Sequence, residues 1–350
     1  MQVRLVLLML LVNASARAQP WNVQTTGIDT NLRGVSVVRV PSSSDGVAVW
    51  ACGSNGVILR SVDQGKTWKR FHVEGGDALD FRGIVAFDAT TAYVMSIGGG
   101  AKSRIYKTAD GGASWKLELS GKRSAFFLDD LVCISKTRCY ALSDPVDGKF
   151  LLVSTEDGEH WKELSNHRMP AALPGEGVFA ASGTSLAIYD KREIYFGTGG
   201  GRVARVFRSP DLGHTWTAAD IPIASSNASS GIFSITRIRN TVVAVGGDYK
   251  DPSRSDRVAA YSEDMGRTWR LAAQQPDGFR SAVLVFSDGT ISDVTIAAGP
   301  SGENASHDRG IHWSSAGSLN LNALAGTDAD HVWGVGAKGT IAHLIHGRSQ

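Results

Sequence analysis

A short phrase recurs six times and constrains this chain more than anything else in it. It reads SVDQGKTW ending at Trp68, TADGGASW at Trp115, STEDGEHW at Trp161, SPDLGHTW at Trp216, SEDMGRTW at Trp269 and SHDRGIHW at Trp313. Six of the nine tryptophans fall in it, at intervals of 47, 46, 55, 53 and 44 residues. Each copy lies between two strand-like runs, as in VILRSVDQGKTWKRFHV. A tight hairpin turn needs a residue that tolerates positive φ, and Gly65, Gly112, Gly158, Gly213, Gly266 and Gly310 supply it. Asp63, Asp110, Asp211, Asp264 and Asp308 are placed to fold their carboxylates onto turn amides. The tryptophan that follows has a large ring to bury. The third copy departs from the pattern, with Glu156 at the aspartate position and His160 in place of threonine, which predicts a looser turn.

A period of 44 to 55 residues is that of a four-stranded propeller blade with its loops. Each turn then sits at the far tip of its own blade, so the repeated aspartates cannot converge on one catalytic or calcium site. Trp21 lies 47 residues before Trp68, one repeat length, in a context like the strand that follows each turn. At the other end, LNALAGTDADHVWGVGAKGTIAHLIH starts a further blade whose outer strand would fall beyond Gln350. The economical solution is an all-β, seven-bladed propeller closed by the N-terminal strand, about Trp21 to Thr26, completing the last blade and leaving few open edges. With 40 glycines, 10 prolines and no long helical period, the composition agrees. Blades share one continuous core, so residues 19–350 form a single domain.

The N-terminus, MQVRLVLLMLLVNASARAQP, reads as a signal peptide over residues 1–18. Arg4 provides the charge, Leu5 to Val12 the apolar core, and Ala16-Arg17-Ala18 the cleavage signal. Some eight apolar residues fall short of the roughly 20 that span a bilayer. No cysteine follows them to carry a lipid. The expectation is an exported protein, periplasmic or secreted, not inserted in a membrane and monomeric. Cys133 and Cys139 flank a predicted hairpin, VCISKTRCY, and are the disulfide candidates. Cys52 reads as a buried small residue. No metal-ligand grouping or cofactor motif is present, and His343 and His346 read as surface residues. A net charge of +2 without a basic run makes nucleic acid a poor partner.

In a propeller, the loops entering each innermost strand and those joining the second and third strands share one face around the channel, so a site can be assembled there from distant sequence. The extra length of the long intervals falls in such loops: NHRMPAALPGEGVFAASG, GGDYKDPSRSDR and, in the third blade, SDPVDGK. They bring Asp144, Asp147, Glu176, Asp248 and Tyr249 toward one mouth. Three blades open with an arginine, in LRGV (Arg33), FRGI (Arg82) and FRSA (Arg280), expected to face the channel. Guanidinium groups and carboxylates across a cavity suit an anionic or polyhydroxylated ligand, or simply neutralise one another around a wet channel. Close carboxylates also serve acid/base chemistry on a sugar.

The repeated phrase resembles the Asp-box, or BNR repeat, of sialidase-like propellers. The blade count, repeat length, leader and blade openings such as FRGIVAFDATTAYVMS resemble the exported photosystem II assembly factor family, YCF48/HCF136-like, over essentially the whole mature chain. That resemblance implies a protein-binding assembly or stability factor that uses a basic patch on the propeller face, with Arg33, Arg82 and Arg280 at comparable positions. The more distant resemblance to sialidases implies a glycoside hydrolase, with the same arginines as its triad and Tyr249, Glu176, Asp248 and Asp144 as catalytic candidates. The sialidase Phe-Arg-Ile-Pro is here Leu32-Arg33-Gly34-Val35, and sialidases have six blades. The leading expectation is a propeller that binds a protein partner, or a carbohydrate or anionic small molecule, at its mouth; the alternative is the hydrolase.

Overall fold

The computed structural model describes residues 21–24, 26–40, 46–287 and 293–345. The signal-peptide reading and His346 therefore lie outside the described residues. Seven four-stranded antiparallel sheets are arranged as blades. Blade 1 runs through Leu32–Arg39, Val47–Gly53, Ile58–Ser61 and Lys69–Phe71. Blade 2 begins at Asp80–Ala86, blade 3 at Leu128–Cys133, blade 4 at Leu186–Tyr189, blade 5 at Ser230–Ile238, blade 6 at Ala282–Ser287 and blade 7 at Leu321–Gly326. The outer strand of blade 7 is Trp21–Gln24, which pairs antiparallel with Ile341–Leu344 in the register Trp21 to Leu344. The N-terminal strand thus closes the ring, and Thr26 extends the seam through a hydroxyl bond to the Gly339 carbonyl at 3.1 Å.

Burial explains why the inner strands are so apolar. Val47–Gly53 (VAVWACG) is buried at every position, because both faces of the blade meet a neighbouring blade. The outer strand Lys69–Phe71 is short and mostly exposed. Hydrophobic clusters lie between adjacent blades, one of them joining Trp50, Phe71, Phe81 and Tyr106 of blades 1 and 2. Several turn tryptophans complete these layers edge-on: Trp68 against Trp333, Trp115 against Trp50 and Trp161 against Tyr93, with centroids 6.0 to 6.4 Å apart. His343 is not a plain surface residue; it stacks flat on Trp333 at 4.3 Å and is half-buried by that ring.

The repeated turns are built as their residues require. In the first, Ser61 Oγ accepts the Gly65 amide at 2.8 Å and donates to Asp63 Oδ1 at 2.7 Å. Asp63 also accepts the Thr67 amide and hydroxyl, at 3.0 and 2.6 Å. The six glycines have φ between 80° and 93°. In the second turn, the Ser114 hydroxyl and amide hold Asp110 down to about 2. The third turn corrects the expectation of looseness. Asp157, not Glu156, occupies the aspartate role, and Thr155 replaces the serine, so the turn is one residue shorter. Asp157 accepts the His160 and Glu159 amides at 2.8 and 2.9 Å and the His160 ring at 2.7 Å. Those bonds, the His160 amide first, pull its carboxyl below the usual range. The acid had moved one place along the phrase, and the network reformed around it.

Cys133 and Cys139 face each other across the predicted hairpin and are joined as a disulfide. Cys52 is free and wholly buried, and burial pushes its thiol well up. No helix among the described residues is long and apolar enough to cross a membrane.

Candidate functional site at the channel mouth

A one-residue bulge interrupts the innermost strand of five blades, and the bulged residue reaches the channel each time. The register skips Arg33 between Leu32 and Gly34, and Arg82 between Phe81 and Gly83. It skips Asp129 between Leu128 and Asp130, Phe233 between Ile232 and Ser234, and Asn322 between Leu321 and Ala323. A bulge leaves one residue without a ladder partner and re-aims its side chain. All five of these residues line one cavity of about 730 Å³. In sequence the position is the second of LRGV, FRGI, LDDL, IFSI and LNAL.

This register corrects the reading of Arg280. FRSA resembles FRGI in letters, yet the ladder pairs Ala282 with Ala298 as it pairs Gly34 with Cys52. Arg280 thereby falls where blades 1 and 2 have Leu32 and Phe81, and it is fully buried. Its guanidinium donates to Asn304 Oδ1, the Phe279 carbonyl at 2.9 Å and Ser301 Oγ at 3.0 Å. Ser281, one residue on, faces the cavity instead.

The two arginines that do face the mouth differ. Arg82 is well paired: it bonds Asp80 Oδ2 through Nε and Nη2 at 2.9 and 2.7 Å, and the Ala180 carbonyl at 2.8 Å. Arg33 makes one long bond, Nη1 to Asn322 Oδ1 at 3.3 Å, and its buried Nε has no partner. Burial first, then the neighbouring Arg82, lowers Arg33 to about 10. Asn322 is fixed by donating to Asn31 Oδ1 and the Leu32 carbonyl at 2.7 and 2.8 Å, which in turn orients Arg33. A guanidinium with an unmet buried donor is a ready site for an anion.

Across the cavity stands an aromatic wall of which the sequence reading had only Tyr249. Phe179 and Phe233 stack at 4.0 Å and 9°. Phe279 meets Phe233 edge-on at 4.6 Å, and Tyr249 meets both Phe179 and Phe233 near 6 Å. Tyr249 is thus at the mouth as expected, 48% exposed.

The carboxylates divide. Asp144 lines the cavity, accepts the Val178 amide at 2.9 Å and is pushed up by burial. Glu176 does not reach the cavity. Its carboxylate is buried against Arg205, with Nε at 2.8 Å, and also accepts Thr198 Oγ1 at 2.5 Å and the Leu173 amide at 2.7 Å. It anchors the long loop that carries Phe179. Asp248 is spent on Asn227 Nδ2 and the Lys250 amide, both at 2.9 Å, and is not part of the lining. Asp147 sits at a hairpin tip with its side chain 92% exposed, facing Arg123 at 3.9 Å, away from the cavity. Of the four candidate carboxylates one reaches the mouth, so the paired-carboxylate arrangement drawn for a hydrolase does not assemble from them. The second carboxylate there is Asp129, which the sequence reading missed. The signal was its place in LDDL, aligned with the arginines of LRGV and FRGI.

Residues 21–290 match the DUF6242 beta propeller domain, and the chain belongs to that family. No curated protein sequence matches it. Among solved structures it is similar to one described as YCF48 bound to D1 peptide, with a TM-score of 0.65 and 13% identity, covering 95% of this chain and all of that one. It is also similar to YCF48 from Cyanidioschyzon merolae, with a TM-score of 0.63 and 16% identity over 93% of this chain and 98% of the other. Both likenesses speak for the seven-bladed fold.

Proposed function

We propose that this propeller is an exported protein that binds an extended segment of a protein partner across its channel mouth. The segment sets an apolar or aromatic side chain against the Phe179–Phe233 stack and a carboxylate on Arg33. The observation that carries the reading is the unmet buried Nε of Arg33 opposite an aromatic wall in one open cavity. Pockets with apolar walls and few convergent polar groups are binding sites as a class. YCF48, of the same fold, is described bound to D1 peptide, which supports a protein segment as occupant. Export is supported by the leader and by the Cys133–Cys139 bridge, since disulfides persist in oxidising compartments. The exposed large apolar residues, such as Val23, Val62, Leu117 and Leu271, lie on different blades, which supports a monomer.

The test is a library of fluorescein-labelled hexapeptides carrying one aromatic and one acidic residue at varied spacing, titrated by anisotropy. Saturable binding is expected for some members, with Arg33→Ala weakening it roughly tenfold and leaving the thermal midpoint unchanged. Absence of any saturable peptide binding, together with turnover of a glycan substrate, would establish the hydrolase instead.

A further inference from the structure

Asp129 is the least satisfied charged group at the mouth. Its residue surface is 1% exposed, and neither carboxylate oxygen has a hydrogen-bond partner. The Asp144 amide donates to the Phe127 carbonyl at 3.1 Å and favours the ionised Asp129 only as the last and smallest influence on it. An uncompensated buried carboxylate is costly, and native structures rarely keep one without a reason. Yet the bulge at this position turns Asp129 toward the cavity, beside Asp144, rather than letting it reach water elsewhere.

No arginine of the mouth neutralises this pair. The charged groups that act on Arg33 are Arg82 and Asp80, and Arg82 is already paired with Asp80 and the Ala180 carbonyl. The charges that act on Asp129 are Asp144 and Asp130, both acidic. Asp130 is itself committed to the Leu186 amide at 2.7 Å and Ser185 Oγ at 3.1 Å. The cavity therefore has a cationic sector at blades 1 and 2 and an unanswered anionic sector at blade 3.

Resting on the reading of the mouth as a peptide-binding surface, we propose that Asp129 and Asp144 form a subsite for a primary ammonium, a lysine side chain or free amino terminus of the bound segment. Three acceptors remain after the Val178 amide takes Asp144 Oδ1: both oxygens of Asp129 and Oδ2 of Asp144. An ammonium has three donors. A group so little exposed is reached by a compact charge on a slender stem more readily than by a planar guanidinium. Among the described residues no third His, Cys, Asp or Glu joins the pair to make a metal-binding group, which disfavours a divalent cation. Burial first, and then Asp144, raise the Asp129 carboxyl, so an ammonium that binds here takes the place of the proton the buried acid holds.

The experiment uses the whole protein and two probes that are not peptides, n-butylammonium and 1-butanol, followed by saturation-transfer NMR titration. Saturable butylammonium binding with a preference of roughly tenfold over butanol is expected in the unmodified protein. Asp129→Asn and Asp144→Asn should each remove that preference and leave butanol binding unchanged, with thermal midpoints confirming the fold. An equal response to both probes in the unmodified protein, or a preference that survives Asp129→Asn, overturns the subsite. So does calcium binding that Asp129→Asn abolishes while butylammonium never binds. Failure here with library peptides still bound leaves the peptide-binding mouth standing. Butylammonium binding without any peptide binding removes the peptide reading alone.

Discussion

The two ends of each blade follow opposite rules. At the rim, the turns repeat one chemistry: a hydroxyl, an aspartate and a glycine close the hairpin, and Asp63, Asp110, Asp211, Asp264 and Asp308 make nearly the same bonds. Around the channel, one backbone device repeats, the bulge, while its side chain changes from Arg33 and Arg82 to Asp129, Phe233 and Asn322. Sameness at the rim serves folding, since each turn is satisfied locally. Difference at the centre serves recognition, since one ring of positions presents a different group from each blade.

The contrast is tested most severely at Glu176, which the sequence places at the mouth and the structure places under it. Glu176→Ala strands Arg205 in a buried setting and releases the loop bearing Phe179. A loss of about 3–5 kcal/mol in urea unfolding is expected, with peptide binding lost too. Unchanged stability would mean that Glu176 belongs to the site after all. At the rim, Asp211→Ala removes acceptors for Ser209, Thr215 and its amide. It should cost about 1–2 kcal/mol while leaving mouth affinity intact. A change in binding from so distant a turn would break the separation.

The smallest effect is a pH profile whose lower limb comes from the rim turns and whose upper limb comes from buried carboxyls within the blades. At the rim, Asp63 and Asp110 sit at about 2 against an ordinary 3.8, so their contribution is complete above about pH 4 and is lost as pH falls toward 2. Away from the rim turns, burial raises Asp130 on the innermost strand of blade 3 to about 6 and Glu303 on the third strand of blade 6 to about 7. The folded protein there holds protons that the unfolded chain releases, so stability declines as pH rises from about 4 through 7. Urea midpoints across this range should peak near pH 4 to 5, and Asp130→Asn should flatten the upper limb. A midpoint still climbing at pH 7 would contradict the assignment.

What could be read in advance follows the same division. The rim was legible because its bonds are local: Ser61, Asp63, Gly65 and Thr67 lie within seven residues, and a phrase repeated six times reveals the blade. The closure by Trp21–Gln24 followed by counting. At the mouth, Arg33, Arg82, Asp144 and Tyr249 were legible as loop and strand-entry residues. Arg280 was misplaced by one position because Phe279 mimics Phe81 in letters, while the ladder takes its register from Ala282. Glu176 was misread because its partner, Arg205, is 29 residues away and no local pattern announces an ion pair. Asp129 was overlooked because two adjacent aspartates in a strand look like surface, and only the bulge separates their fates.

The splice at Trp21 also has a temporal side. The bond from Thr26 to Gly339 spans 313 positions, so among the described residues the first strand is paired by the last. A chain synthesised from its N-terminus can complete six blades and still be an open arc, with Trp21–Gln24 waiting for a partner made long after it. Until the strands of blade 7, Leu321–Gly326 first, arrive, blade 1 and blade 6 each present an uncovered face. The mouth is therefore finished late, when blade 7 closes the ring and brings Asn322 to Arg33.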